Sequence, residues 1–97
     1  MFGGNYNVKL RVGIFPKKGK LELRVMDGNL VSGYLDIFNK SNPLQGTIEN
    51  GTIDIHGMIK LPVGETEYEA IGTVEGNTIK LKFDTKFGFY KMTGTRK

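Results

Sequence analysis

From residue 6 the chain alternates apolar and polar side chains: Val8, Leu10, Val12 and Ile14 share one parity, and Asn7, Lys9 and Arg11 the other. This period of two predicts a strand buried on one face and solvated on the other. Proline and glycine interrupt the pattern at residues 15–19, after which Leu21, Leu23 and Val25 alternate with Glu22 and Arg24. Asp27-Gly28-Asn29 then predicts a three-residue turn, which sets Val25 opposite Val31 and Leu23 opposite Gly33 and keeps both strands in phase. The third strand, 30–38, turns Val31, Gly33, Leu35 and Ile37 inward and Ser32, Tyr34, Asp36 and Phe38 outward, and residues 39–43 read as a polar loop.

The strongest signal is a hairpin written twice. Gly46-Thr47-Ile48-Glu49-Asn50-Gly51-Thr52-Ile53 is followed by Gly72-Thr73-Val74-Glu75-Gly76-Asn77-Thr78-Ile79. Asn50-Gly51 and Gly76-Asn77 tolerate the positive φ that tight two-residue hairpin turns need. They pair Leu44, Gly46 and Ile48 with Gly57, Ile55 and Ile53, and Ala70, Gly72 and Val74 with Phe83, Leu81 and Ile79. A further turn is expected at residues 62–64 and a last one at 84–86, leading to an eighth strand over 87–95. No stretch is long enough between turns for a helix. Eight short strands joined by hairpins predict an all-β fold, an antiparallel eight-stranded up-and-down meander barrel, since closure removes the wet apolar face of an open sheet. A two-sheet β-sandwich is the alternative. Glycines in mid-strand, at Gly13, Gly33, Gly46, Gly57, Gly72 and Gly94, favour the barrel, because small barrels need sharp bends.

Ninety-seven residues predict a single β-barrel domain over 1–97. Cysteine is absent, which excludes disulfides and thiolate chemistry and makes a reducing, cytoplasmic setting the expectation. The opening residues carry no basic segment followed by an apolar run, and no window is long enough for a membrane-spanning helix. Net charge is +4, from lysines and arginines dispersed along the chain.

The strand order, the repeated glycine-turn-Thr-Ile unit and the closing Thr93-Gly94-Thr95-Arg96 resemble the small lipocalin-like and avidin-like meander barrels of the calycin type. The resemblance implies the fold. It implies no binding residues, because the chain has no tryptophan where avidins use several, and Gly4-Asn5-Tyr6 stands where lipocalins have Gly-x-Trp.

Candidate chemistry is sparse. His56 is the only histidine and faces outward with Asp54 beside it; Ser32 and Ser41, the only serines, lie in no nucleophile motif. Glu65, Glu67 and Glu69 project from one strand face about 6.6–6.8 Å apart, a spacing that suits a solvated strand edge better than a cation site. No catalytic residue, metal site or cofactor is expected, and the chain reads as a non-enzymatic binding or interaction module. One candidate use is carriage of a small apolar ligand in the barrel mouth, at Tyr68, Phe87 and Tyr90. Another is nucleic-acid binding on a basic outer seam of Lys9, Arg11, Lys80, Lys82 and Lys91, with Phe89 as a stacking platform. Outward apolar side chains at Met26, Tyr34, Phe38 and Phe89 would together suit a homodimer interface.

Overall fold

The chain winds into eight antiparallel strands, each hydrogen-bonded to its sequence neighbour, and the last returns to the first: β1 (Gly4–Val12), β2 (Phe15–Met26), β3 (Leu30–Ile37), β4 (Lys40–Glu49), β5 (Thr52–Leu61), β6 (Gly64–Glu75), β7 (Thr78–Thr85) and β8 (Gly88–Arg96). The computed structural model describes residues 4–12 and 15–97. Pairing of Val8 with Gly94 and of Leu10 with Met92 closes the barrel, and no helix long and apolar enough to cross a membrane occurs among the described residues.

Three turns agree with the sequence-derived register. Val25 faces Val31 and Leu23 faces Gly33; Ile48 faces Ile53 and Gly46 faces Ile55; Val74 faces Ile79 and Gly72 faces Leu81. All three lie at one end of the barrel, which is laced by main-chain bonds from each hairpin to the next. Ile48 N donates to Asn29 O (2.8 Å), Val74 N to Gly51 O (2.8 Å) and Arg96 N to Asn77 O (2.7 Å), and Lys97 N returns to Asn5 O (2.9 Å). Tyr6 is fully buried beneath this end. Its hydroxyl accepts from Arg96 Nη2 at 3.1 Å, and the guanidinium carbon lies 5.5 Å from its ring centre.

The opposite end departs from expectation. The predicted loop at 39–43 is strand: β4 starts at Lys40, after a two-residue turn in which Phe38 and Asn39 both have positive φ (55° and 61°). Asn39 suits that conformation and an aromatic residue does not, so the turn carries no sequence sign. Phe38 is consequently no outward strand residue; it is half-buried against the core. Pro43 fits within a strand because the β4–β5 ladder stops at Leu44, leaving no partner that would need its missing N–H. Asn42 bridges this gap. Its side chain is buried, with Nδ2 donating to Leu35 O at 3.0 Å and Oδ1 accepting from Lys60 N at 3.4 Å.

Residues 15–19 likewise belong to β2, with Pro16 opposite Arg11 beyond the point where β2 parts from β3. The last turn falls at Lys86-Phe87 and not at 84–86, because the Thr85 hydroxyl accepts from Phe87 N (3.1 Å) and donates to Gly88 O (2.9 Å). The expected interior is otherwise occupied as the alternation implies, with Leu10, Leu35, Ile53, Ile55 and Ile79 fully buried. Val25 reaches only its margin. Gly13, Ile14 and the side chain of Val12 lie outside the described residues.

Because Asn42 replaces main-chain pairing between β4 and β5, Asn42→Leu should lower unfolding free energy by about 1–3 kcal/mol, the usual cost of stranding buried polar partners. Urea denaturation with an unchanged m-value checks this; a loss below about 0.5 kcal/mol, the range of an ordinary surface change, would remove the role assigned to Asn42.

Candidate functional site

The second end of the barrel is built from side chains where the first is laced by backbone. Thr66, buried on the inner face of β6, donates to Glu67 O at 2.8 Å and accepts from Lys86 N at 3.4 Å, tying the β7–β8 turn down. Phe87 then lies across Gly64, where an added Cβ would meet its ring at 3.5 Å. Phe87 remains 41% exposed.

Of the three residues expected at a mouth, the structure brings Tyr68 and Tyr90 onto either side of Phe83. Phe83 pairs with Tyr90 across β7–β8, and its ring centre lies 4.8 Å from that of Tyr68 at a 36° tilt. Tyr90 is half-buried and Phe87 is the exposed outer member. Tyr68 is only 4% exposed, and among the described residues its hydroxyl has no hydrogen-bond partner. That hydroxyl lies above Gly57, its register partner on β5, where a Cβ would sit 3.5 Å from the phenol oxygen. Burial pushes the phenol well above its ordinary pKa, because a phenolate there would lose its water. A depression of about 680 Å³ adjoins Tyr68, with Met58, Thr66, Thr85 and Lys86 in its lining and Glu65, Glu67, Glu69 and Asp84 giving it an acidic rim.

No protein-family model and no curated protein matches the chain. Among solved structures it is similar to a redesigned β-barrel, mFAP1, bound to DFHBI. The two share 10% identity with a TM-score of 0.74, over 99% of this chain and 94% of that one. The likeness is one of fold.

The acidic side chains do not form the edge read from the sequence. Strand β6 is paired on both sides, and its register places Glu69 opposite His56 on β5 and Asp84 on β7. A hydrogen bond to Asp54 raises the Glu69 pKa first, the charges of Asp54 and Asp84 add to this, and His56 opposes it. Among the described residues no group of three or more histidine, aspartate or glutamate side chains is placed to hold a metal ion.

Closure sets the expected basic seam on adjacent strands. Lys9 and Lys80 flank Thr93, Lys82 stands opposite Lys91, and the Lys82 ammonium lies 4.5 Å from the Phe89 ring centre. Arg11 lies beyond the last β1–β8 pair. The four residues of the expected dimer face are not brought together. Met26 and Tyr34 are on neighbouring β2 and β3, Phe89 is on β8, and Phe38 is withdrawn into its turn. Sequence reasoning missed Asn42, whose polarity read as loop, and the approach of Glu69 to Asp54, which needs the β5–β6 register.

Because its folded pKa is raised, Glu69 destabilises the fold as pH climbs above the ordinary carboxylate value of 4.5, and this destabilisation is absent below it. Glu69→Gln should therefore raise the thermal midpoint at pH 7, with the difference closing as pH falls towards 4.5. A lower midpoint for the variant at pH 7 would contradict the upward shift of Glu69.

Proposed function

We propose that the chain is a non-enzymatic small-molecule binding barrel of lipocalin-like type, whose ligand sits at the mouth bounded by Tyr68, Phe87 and Tyr90. The observation that carries this reading is Tyr68, a side chain only 4% exposed whose hydroxyl has no hydrogen-bond partner among the described residues. A buried hydroxyl left unbonded costs about 1–3 kcal/mol, which a ligand supplying one hydrogen-bonding atom would recover. Ligand sites commonly combine apolar and aromatic walls with a few placed polar groups; here Phe83 packs against the Tyr68 ring and pairs with Tyr90, and exposed Phe87 stands at the same end of the barrel.

The body of the barrel is filled, with Leu35, Ile53 and Ile55 fully buried, so the ligand occupies the end and not the centre. The adjoining depression, at about 680 Å³, falls within the ~300–1,000 Å³ range of small-molecule sites. Its acidic rim disfavours anions, so the ligand class is an apolar molecule, neutral or cationic, bearing one hydrogen-bonding group. The similar redesigned barrel is bound to DFHBI, which supports a barrel of this size serving a small ligand.

Nile red, a neutral apolar dye, tests the site. Its emission should rise saturably with the protein, and Phe87→Ser should weaken binding about tenfold, the equivalent of ~1.4 kcal/mol of lost apolar contact. Absence of saturable enhancement, or equal binding by the variant, would overturn the proposal. Tyr68→Phe removes only the unpartnered hydroxyl and should leave the thermal midpoint equal or higher; a clearly lower midpoint would show that the hydroxyl is satisfied within the protein.

A further inference from the structure

A second concavity lies on the other side of the molecule and is chemically opposite to the first. Strand β2 stays paired with β1 down to Phe15 but leaves β3 after Lys20 and Asp36. Between the two hairpins that separate there runs a groove of about 1080 Å³. Five lysines line it, Lys9, Lys17, Lys18, Lys20 and Lys40, against one carboxylate, Asp36.

Two features set this groove apart from a merely solvated basic face. Lys9 and Lys18 are direct cross-strand partners on the outer surface, an arrangement of like charges that destabilises a sheet. Among the described residues the ion pairs are Arg24 with Glu22 and Lys60 with Glu65, and neither relieves these lysines. The groove also has an apolar floor. Gly19 contributes no side chain, Val8 and Ile37 lie beneath it, and half-buried Phe38 stands at its edge with the amide of Asn39 and the hydroxyl of Ser41 alongside. At Gly19 an added Cβ would lie 2.7 Å from Asp36 O and 3.1 Å from Ile37, so the floor admits no larger residue.

We propose that this groove binds a small organic phosphate of the nucleotide class. The Lys9 and Lys18 ammonium groups meet the phosphate oxygens, which removes their mutual repulsion, and the planar apolar body lies on the Gly19 floor against Phe38. The groove is local and bounded by two hairpins, which suits a compact anion rather than an extended strand.

Amide chemical shifts of the whole chain, titrated with ATP at ~50 mM salt, read the site. Shifts should centre on Lys9, Lys18, Gly19 and Phe38, and Lys18→Gln with Lys20→Gln should weaken binding about tenfold, the scale of one or two charge-assisted contacts. Lys80→Gln with Lys82→Gln, on the exposed seam, should leave it unchanged. All four lysines are exposed, so these variants retain the fold. Absence of shifts overturns the proposal, as does equal weakening by the seam variant. Inorganic phosphate binding as tightly as ATP would show that the apolar floor is not used. Oligodeoxythymidylate binding far more tightly, with loss in the seam variant, would assign the basic surface to single-stranded nucleic acid instead.

Discussion

Three inward-facing glycines bring strand backbones closer together than any side chain would allow, and closure of the barrel depends on that approach. Gly33, Gly46 and Gly72 each stand opposite an aliphatic residue, and an added Cβ would lie 1.8, 1.9 and 1.7 Å from the carbonyl oxygen of the residue preceding that partner. The same geometry thus recurs in the three hairpins β2–β3, β4–β5 and β6–β7, whose turns share one end of the barrel. Sheets of eight strands close only where strands coil and bend sharply, and an inward side chain at such a bend collides with the neighbouring strand. Glycine relieves that collision, and the position its Cβ would take is occupied by a main-chain carbonyl of the neighbouring strand.

The two ends of the barrel follow from this in different ways. At one end the hairpin turns are short and permissive, and each hands a carbonyl to an amide two strands further on, until Lys97 returns to Asn5. At the other end the ladders run out early, and the side chains of Asn42 and Thr66 accept the amides of Lys60 and Lys86 in place of carbonyls. An end held by side chains leaves aromatic surface at its rim and, among the described residues, one buried phenol unpaired, and there the ligand mouth is proposed. The two surface concavities are likewise divided in charge, with Glu65, Glu67, Glu69 and Asp84 around one and Lys9, Lys17, Lys18, Lys20 and Lys40 around the other.

Much of the fold was legible because turn chemistry and alternation agree. Asp27-Gly28-Asn29, Asn50-Gly51 and Gly76-Asn77 each announce their turn, and each register they imply is the observed one. The turn at Phe38 was hidden because an aromatic residue there adopts a conformation its type disfavours. Asn42 and Pro43 read as loop because their polarity and missing donor have a use only once the β4–β5 ladder is known to stop. Tyr68 was found by its alternation with Glu67 and Glu69, but nothing local says that its hydroxyl has no partner among the described residues. Tyr6 and Arg96 meet only through closure, and Glu69 meets Asp54 only through the β5–β6 register.

Gly72 has the closest approach of the three glycines, and its replacement tests the governing constraint. Chemical denaturation of Gly72→Ala should show a loss of about 3 kcal/mol or more, or no folded state, since Lys80 O is main chain and cannot swing aside. The neighbouring exposed Thr73→Ala should cost under about 0.5 kcal/mol. A Gly72→Ala barrel as stable as the Thr73→Ala variant would contradict the dependence of closure on backbone contact at these glycines.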